Sequence, residues 1–133
     1  MIVADTNLLV YLYLRGTRTP QAEAVLARDP TWAAPLLWRS EFRNTLARFV
    51  RRRALTLEEA LRITGEAEQL MAGHEYAVVS HQVLELAARS RCSAYDCEFV
   101  ALADDLRVAL VTGDRRVLRA FPSTAVAIDR FAA

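Results

Sequence analysis

Lysine is absent: all 17 basic residues are arginine. That excludes mechanisms that turn on a lysine amine, among them a Walker A phosphate loop, a Schiff base and the lysine switch of a phospho-receiver domain. Phosphate contacts would fall to guanidinium forks instead. Cysteine is scarce, with only Cys92 and Cys97. A Cys-x4-Cys pair with two distant histidines does not supply the short paired spacings of a zinc site, so two buried thiols are expected. Four glycines and four prolines leave little material for a flexible linker. The longest apolar run, Leu8 to Leu14, is seven residues, against the ~20 a membrane-spanning helix needs. The N-terminal Met1-Ile2-Val3-Ala4-Asp5 has neither a basic region nor a small-residue cleavage site, so a cytoplasmic address is expected.

What is present suits a folded enzyme-sized domain. The 133 residues are 53% hydrophobic and 25% charged, with a net charge of +1 that names no partner. One domain over residues 1–133 is expected. Short apolar β-branched runs alternate with helical periods. Strands are expected at Ile2-Val3-Ala4, Thr31–Ala34, Tyr76–Val79, Val108–Thr112 and Ala125–Ile128. Helices are expected near 8–14, from Thr19-Pro20 to Arg28, over 36–53, from the capping box Thr56-x-x-Glu59 to Met71, and from Ser80. Two more follow, from the possible box Ser93-x-x-Asp96 and after Asp114. The alternation predicts a doubly wound α/β fold, a parallel sheet of about five strands with helices on both faces.

Ligand sites in such sheets form beyond the carboxyl ends of the strands. Asp5 and Asp114 follow strands, and Glu41 and Asp96 lie near the starts of helices. If the first and fourth strands are neighbours, all four carboxylates can share one cleft. Such a cluster must take up protons or bind cations, and an all-oxygen set suits Mg²⁺ or Mn²⁺. One or two such ions activate water and stabilise the leaving oxygen in phosphodiester hydrolysis. Thr6, Asn7 and Thr112 are candidates for supporting hydrogen bonds. The plainer alternatives are helix caps for Asp5, Asp114 and Asp96, and a helical ion pair with a nearby arginine for Glu41. Glu98 sits one step from Asp96 and is left open. Arg39 and Arg43, which flank Glu41, and Arg115 and Arg116, which follow Asp114, are candidates to meet substrate phosphates approaching the acids. Trp32 and Trp38 are expected in the core. The apolar run 8–14 exceeds what one buried face needs and is a candidate partner surface.

Three segments carry a family resemblance: Ile2-Val3-Ala4-Asp5-Thr6-Asn7-Leu8-Leu9, Ser40-Glu41-Phe42-Arg43-Asn44-Thr45-Leu46, and Tyr95-Asp96 through Leu110-Val111-Thr112-Gly113-Asp114 to Leu118. Together they resemble the PIN-domain family, particularly the VapC-type ribonuclease toxins of toxin–antitoxin pairs. The resemblance implies a metal-dependent endoribonuclease whose acidic quartet is Asp5, Glu41, Asp96 and Asp114, assisted by Asn7 and Thr112. It also implies a homodimer and an inhibitory antitoxin partner. A phosphatase of the haloacid dehalogenase type also begins strand–Asp, but Asn7 stands where it needs a second Asp and its lysine is missing. The non-enzymatic alternative is a PIN-like module that binds RNA or protein without cutting.

Overall fold

The computed structural model describes residues 1–133. Five short parallel strands form one sheet in the order β3-β2-β1-β4-β5. In chain order, β1 (Ile2–Ala4) leads through α1 (Thr6–Tyr13) and α2 (Thr19–Arg28) to β2 (Trp32–Pro35). Then α3 (Leu37–Arg51) and α4 (Leu57–Met71) lead to β3 (Glu75–Tyr76), and α5 (Ser80–Ala88) and α6 (Ala94–Leu106) lead to β4 (Leu110–Thr112). The chain closes with α7 (Arg115–Ala120), β5 (Ala125–Ala127) and α8 (Ile128–Ala132).

The order fixes where the helices go. The chain steps one way along the sheet from β1 to β3, then jumps back past β1 to β4 and β5. Right-handed crossovers therefore place the β1–β3 connections on one face and the β3–β5 connections on the other. The packing agrees: α1 meets α2 and α3, α3 meets α4, and α5 pairs with α6, which lies against β1, β2 and β4. The doubly wound prediction holds, and the reversal falls between β1 and β4.

The strands are buried because they are apolar on both sides. All of β1, β2 and β4 is buried, and Trp32, Trp38 and Phe42 are the largest wholly enclosed side chains. Each indole satisfies its N–H, Trp32 on the Asp29 carbonyl and Trp38 on Glu75, so burial leaves no orphan donor. Cys92 and Cys97 are buried free thiols, as expected.

Several local expectations change. The apolar run 8–14 does not offer a free face: Leu8, Leu9 and Val10 are buried, and Tyr11 to Leu14 pack on the same core. One helix lies between the sheet and its neighbours, and that absorbs the excess. Thr19 does not cap α2. Its hydroxyl turns back to donate to the Tyr11 carbonyl at 2.6 Å and leaves Arg18 in the capping position. Likewise Ser80 lies inside α5, whose capping residue is Val79. Thr56 and Glu59 do form the reciprocal capping box. The third strand is confined to Glu75–Tyr76, and the last strand stops at Ala127 because Ile128 begins a helical turn.

Candidate active site

Asp5 follows β1 directly, where its backbone N–H is tied to Val111 of the neighbouring strand. It occupies the capping position of α1, but its carboxylate makes no cap bond. It accepts instead from the Thr112 hydroxyl at 2.7 Å, across the β1–β4 junction. The Thr112 oxygen also accepts from the Asp114 amide at 3.0 Å. One buried threonine thus links two acids from different strands.

Asp114 does serve as a cap: one carboxylate oxygen accepts from the amides of Arg116 at 2.8 Å and Val117 at 3.3 Å. Its plain role is real and leaves the second oxygen without a protein partner. Asp96 differs. Ser93 caps α6 by accepting from the Asp96 amide at 3.0 Å, but no return bond from the Asp96 carboxylate completes the box. Glu41 accepts from the Thr6 hydroxyl at 2.7 Å and pairs with no arginine.

These residues line one cavity of about 230 Å³ with no hydrophobic side chain in its wall: Asp5, Thr6, Asn7, Glu41, Asn44, Thr45, Asp96 and Asp114. It opens at the sheet reversal, the position where α/β sheets hold ligands. Asn44 and Thr45 had no assigned role, although they stand three and four residues from Glu41 and so share its helix face. Glu98 does not line the cavity.

Burial raises the Asp5 pKa to about 6 against the Thr112 hydrogen bond, and the neighbouring charges of Glu41 and Asp96 push it further. Glu41 is raised by burial too, opposed by Thr6 and reinforced by Asp96 and Glu98. Apolar Phe99, Leu110 and Val117 flank Asp5 and Asp96 from behind, which supplies the low dielectric.

The four candidate arginines are placed differently from one another. Arg39 and Arg43 stand two residues either side of Glu41, and residues two apart on a helix do not share a face. Arg39 donates to both Glu75 oxygens at 2.6 and 2.8 Å and to Glu68 at 2.9 Å, and it does not line the cavity. Arg43 borders an apolar groove between α3 and α4. Arg115 and Arg116 are exposed beside Asp114, and Arg115 lines a separate polar cleft.

No three of the chain's His, Cys, Asp and Glu side chains are drawn together closely enough to enclose a metal ion in this arrangement. The donor chemistry nevertheless fits a hard divalent cation: four carboxylates, two of them with raised pKa, around a polar cavity without sulfur or imidazole.

A parallel sheet that reverses over a carboxylate-walled cavity is the architecture of a PIN domain. The PIN domain family model matches residues 2–122, and the chain belongs to that family. Among its relatives, Ribonuclease VapC3 from Pyrobaculum aerophilum is 29% identical over 125 residues, covering 92% of this chain and 95% of that protein. The crystal structure of PAE2754 from the same organism superposes with a TM-score of 0.78 at 18% identity, covering 98% of this chain and 92% of the other. A toxin–antitoxin complex from Klebsiella pneumoniae gives 0.72 at 19% identity, covering 96% and 98%. FitAcB from Neisseria gonorrhoeae gives 0.75 at 17% identity, with the same coverage.

Proposed function

We propose that the protein is an Mg²⁺- or Mn²⁺-dependent endoribonuclease, the toxin of a VapBC-type pair, held in check by a cognate antitoxin. The observation that carries this is the single cavity walled by Asp5, Glu41, Asp96 and Asp114 at the sheet reversal. That one relative is a ribonuclease and one structural neighbour a toxin–antitoxin complex supports the reading. Residues 1–133 act as one PIN unit in this proposal, working as a homodimer in the cytoplasm.

Asp5, Asp96 and Asp114, with Glu41 completing the set, would hold one or two divalent ions, which would supply an activated water and charge stabilisation for the leaving oxygen. The chain's own residues do the rest. Thr112 fixes the rotamer of Asp5 and the backbone of Asp114 with one hydroxyl. Thr6 orients Glu41. Asn7 and Asn44 offer neutral amides at the cavity wall to phosphate oxygens. Because water is the nucleophile in this reading, the products carry 3′-hydroxyl and 5′-phosphate ends.

The alternative is a non-catalytic PIN-like module that binds RNA or protein, and one experiment separates the two. Purified, partner-free protein is incubated with end-labelled total RNA and defined transfer RNAs in Mn²⁺, Mg²⁺ or EDTA, beside Asp5→Asn. Discrete metal-dependent cuts that vanish in the variant are expected. RNA left intact in every metal would sink the nuclease reading in favour of the binding module.

A further inference from the structure

A second polar cleft, of about 450 Å³, opens on the other side of the turn that carries Asp114. Arg18, Gln21 and Arg115 line it, with Gly113 at its edge towards the acids. Gly113 lines this cleft and the next residue, Asp114, lines the acidic cavity, so the two openings meet at one turn.

The Arg18 guanidinium belongs to no ion pair and makes no hydrogen bond within the chain. Its guanidinium is held in place all the same. It stacks on the Tyr11 ring, 4.8 Å from the centroid, which preorganises the fork without consuming its donors. It also lies against Gly113, where an added Cβ would come within 3.5 Å of Nη2 and 3.4 Å of Ile128 Cδ1. Arg115 is exposed and likewise unpaired. One carboxylate, Asp129, stands on the rim, with no cation within ion-pair distance.

An acid-walled cavity repels a polyanion until cations fill it, so affinity for the strand must come from beside it. We propose that this cleft is a subsite for a backbone phosphate of the RNA strand flanking the scissile one, gripped by Arg18 and Arg115, with Asp129 weakening the grip. The proposal rests on the ribonuclease reading and extends it to the path of the substrate. Gln21 adds a neutral donor to the same phosphate. Recognition here is of backbone and not of base, since nothing in the cleft's wall is an aromatic platform.

The test is binding in EDTA in an Asp5→Asn background, with a short fluorescein-labelled single-stranded RNA of mixed sequence read by anisotropy across a salt series. Arg18→Gln and Arg115→Gln are expected to weaken binding about 3–10-fold each and to lower the salt slope by about one. Asp129→Asn is expected to tighten binding, and Arg62→Gln, a charge-matched change on an exposed face of α4, to leave it alone. Cleavage by the unmutated protein is measured separately. If it cuts RNA while Arg18→Gln and Arg115→Gln bind as their parent does, the subsite is overturned and the nuclease reading stands. If all three arginine variants lose affinity equally, binding follows net charge and the cleft is not a site. If the parent does not bind the RNA, the proposal also falls.

Discussion

Asp5 pays for its position. An ionised carboxylate between Phe99, Leu110 and two other acids is poorly solvated, and the folded chain therefore holds its proton up to a pKa of about 6, where an unfolded chain releases it near 3.8. Between those values the folded state binds more protons than the unfolded one, so stability from this group falls as pH rises and is fully lost above about 6. Asparagine has no such loss and its side-chain oxygen still accepts from Thr112. Asp5→Asn should thus match the parent in stability below about pH 4 and exceed it by ~2 kcal/mol at pH 7.5, measured by urea unfolding in EDTA. The same substitution should abolish cleavage, a gain in stability at the expense of function. An unchanged or lowered stability at pH 7.5 would mean that Asp5 is not strained in the fold.

Among the elements, α3 shows how a side chain's helix face decides its role. Glu41, Asn44 and Thr45 project to the cavity together, while Arg39 points the other way into a knot with Glu75 and Glu68 that ties α3 to β3 and α4. The acids at the strand ends were legible in the sequence because a short apolar run announces where a strand must stop. The fate of Arg39 was not, because its partners lie 29 and 36 residues away and only the packed fold brings them near. Arg18 was missed for a similar reason: just before Thr19-Pro20 it reads as a helix boundary, and only the fold brings it to Tyr11 and the cleft. Glu75 has its pKa lowered chiefly by the hydrogen bonds from Arg39. Its contribution is present above the ordinary glutamate value and is lost as pH falls through the lowered one. Arg39→Met should therefore cost ~2 kcal/mol at neutral pH, with the deficit shrinking in acid, while leaving the pattern of RNA cuts unchanged. Equal deficits at pH 7 and pH 3, followed by thermal unfolding, would show that packing and not the ion pairs matters at this position.

For the whole molecule, the strand order turns local features into a site. The alternation of apolar runs and helical periods was enough to predict a parallel doubly wound sheet, since few other arrangements bury strands that are apolar on both faces. The ends of the short elements were not readable. Ala125-Val126-Ala127-Ile128 is one apolar run in sequence, and only docking of α8 beside α2 decides that it bends after three residues. The sheet order carries the deepest consequence. With β1 beside β4, Asp5 and Asp114 come under one threonine, and α3 and α6 bring Glu41 and Asp96 to the same cavity. The four acids stand apart here, and a divalent ion that drew them together would bind the folded chain alone. Binding of that kind raises stability by about 2.7 kcal/mol at a hundredfold excess over Kd, and a chain of this size gains roughly 4 °C in Tm per kcal/mol. Millimolar Mn²⁺ should accordingly raise the melting temperature of the wild type by several degrees and that of Asp96→Asn by much less. Asp96 is the informative position because its carboxylate neither caps α6 nor pairs with a base, so its substitution removes a carboxylate from the cavity without removing a structural bond. A shift of equal size in both proteins would place the ion elsewhere on the surface. No shift in either would show that the acids repel without ever being joined.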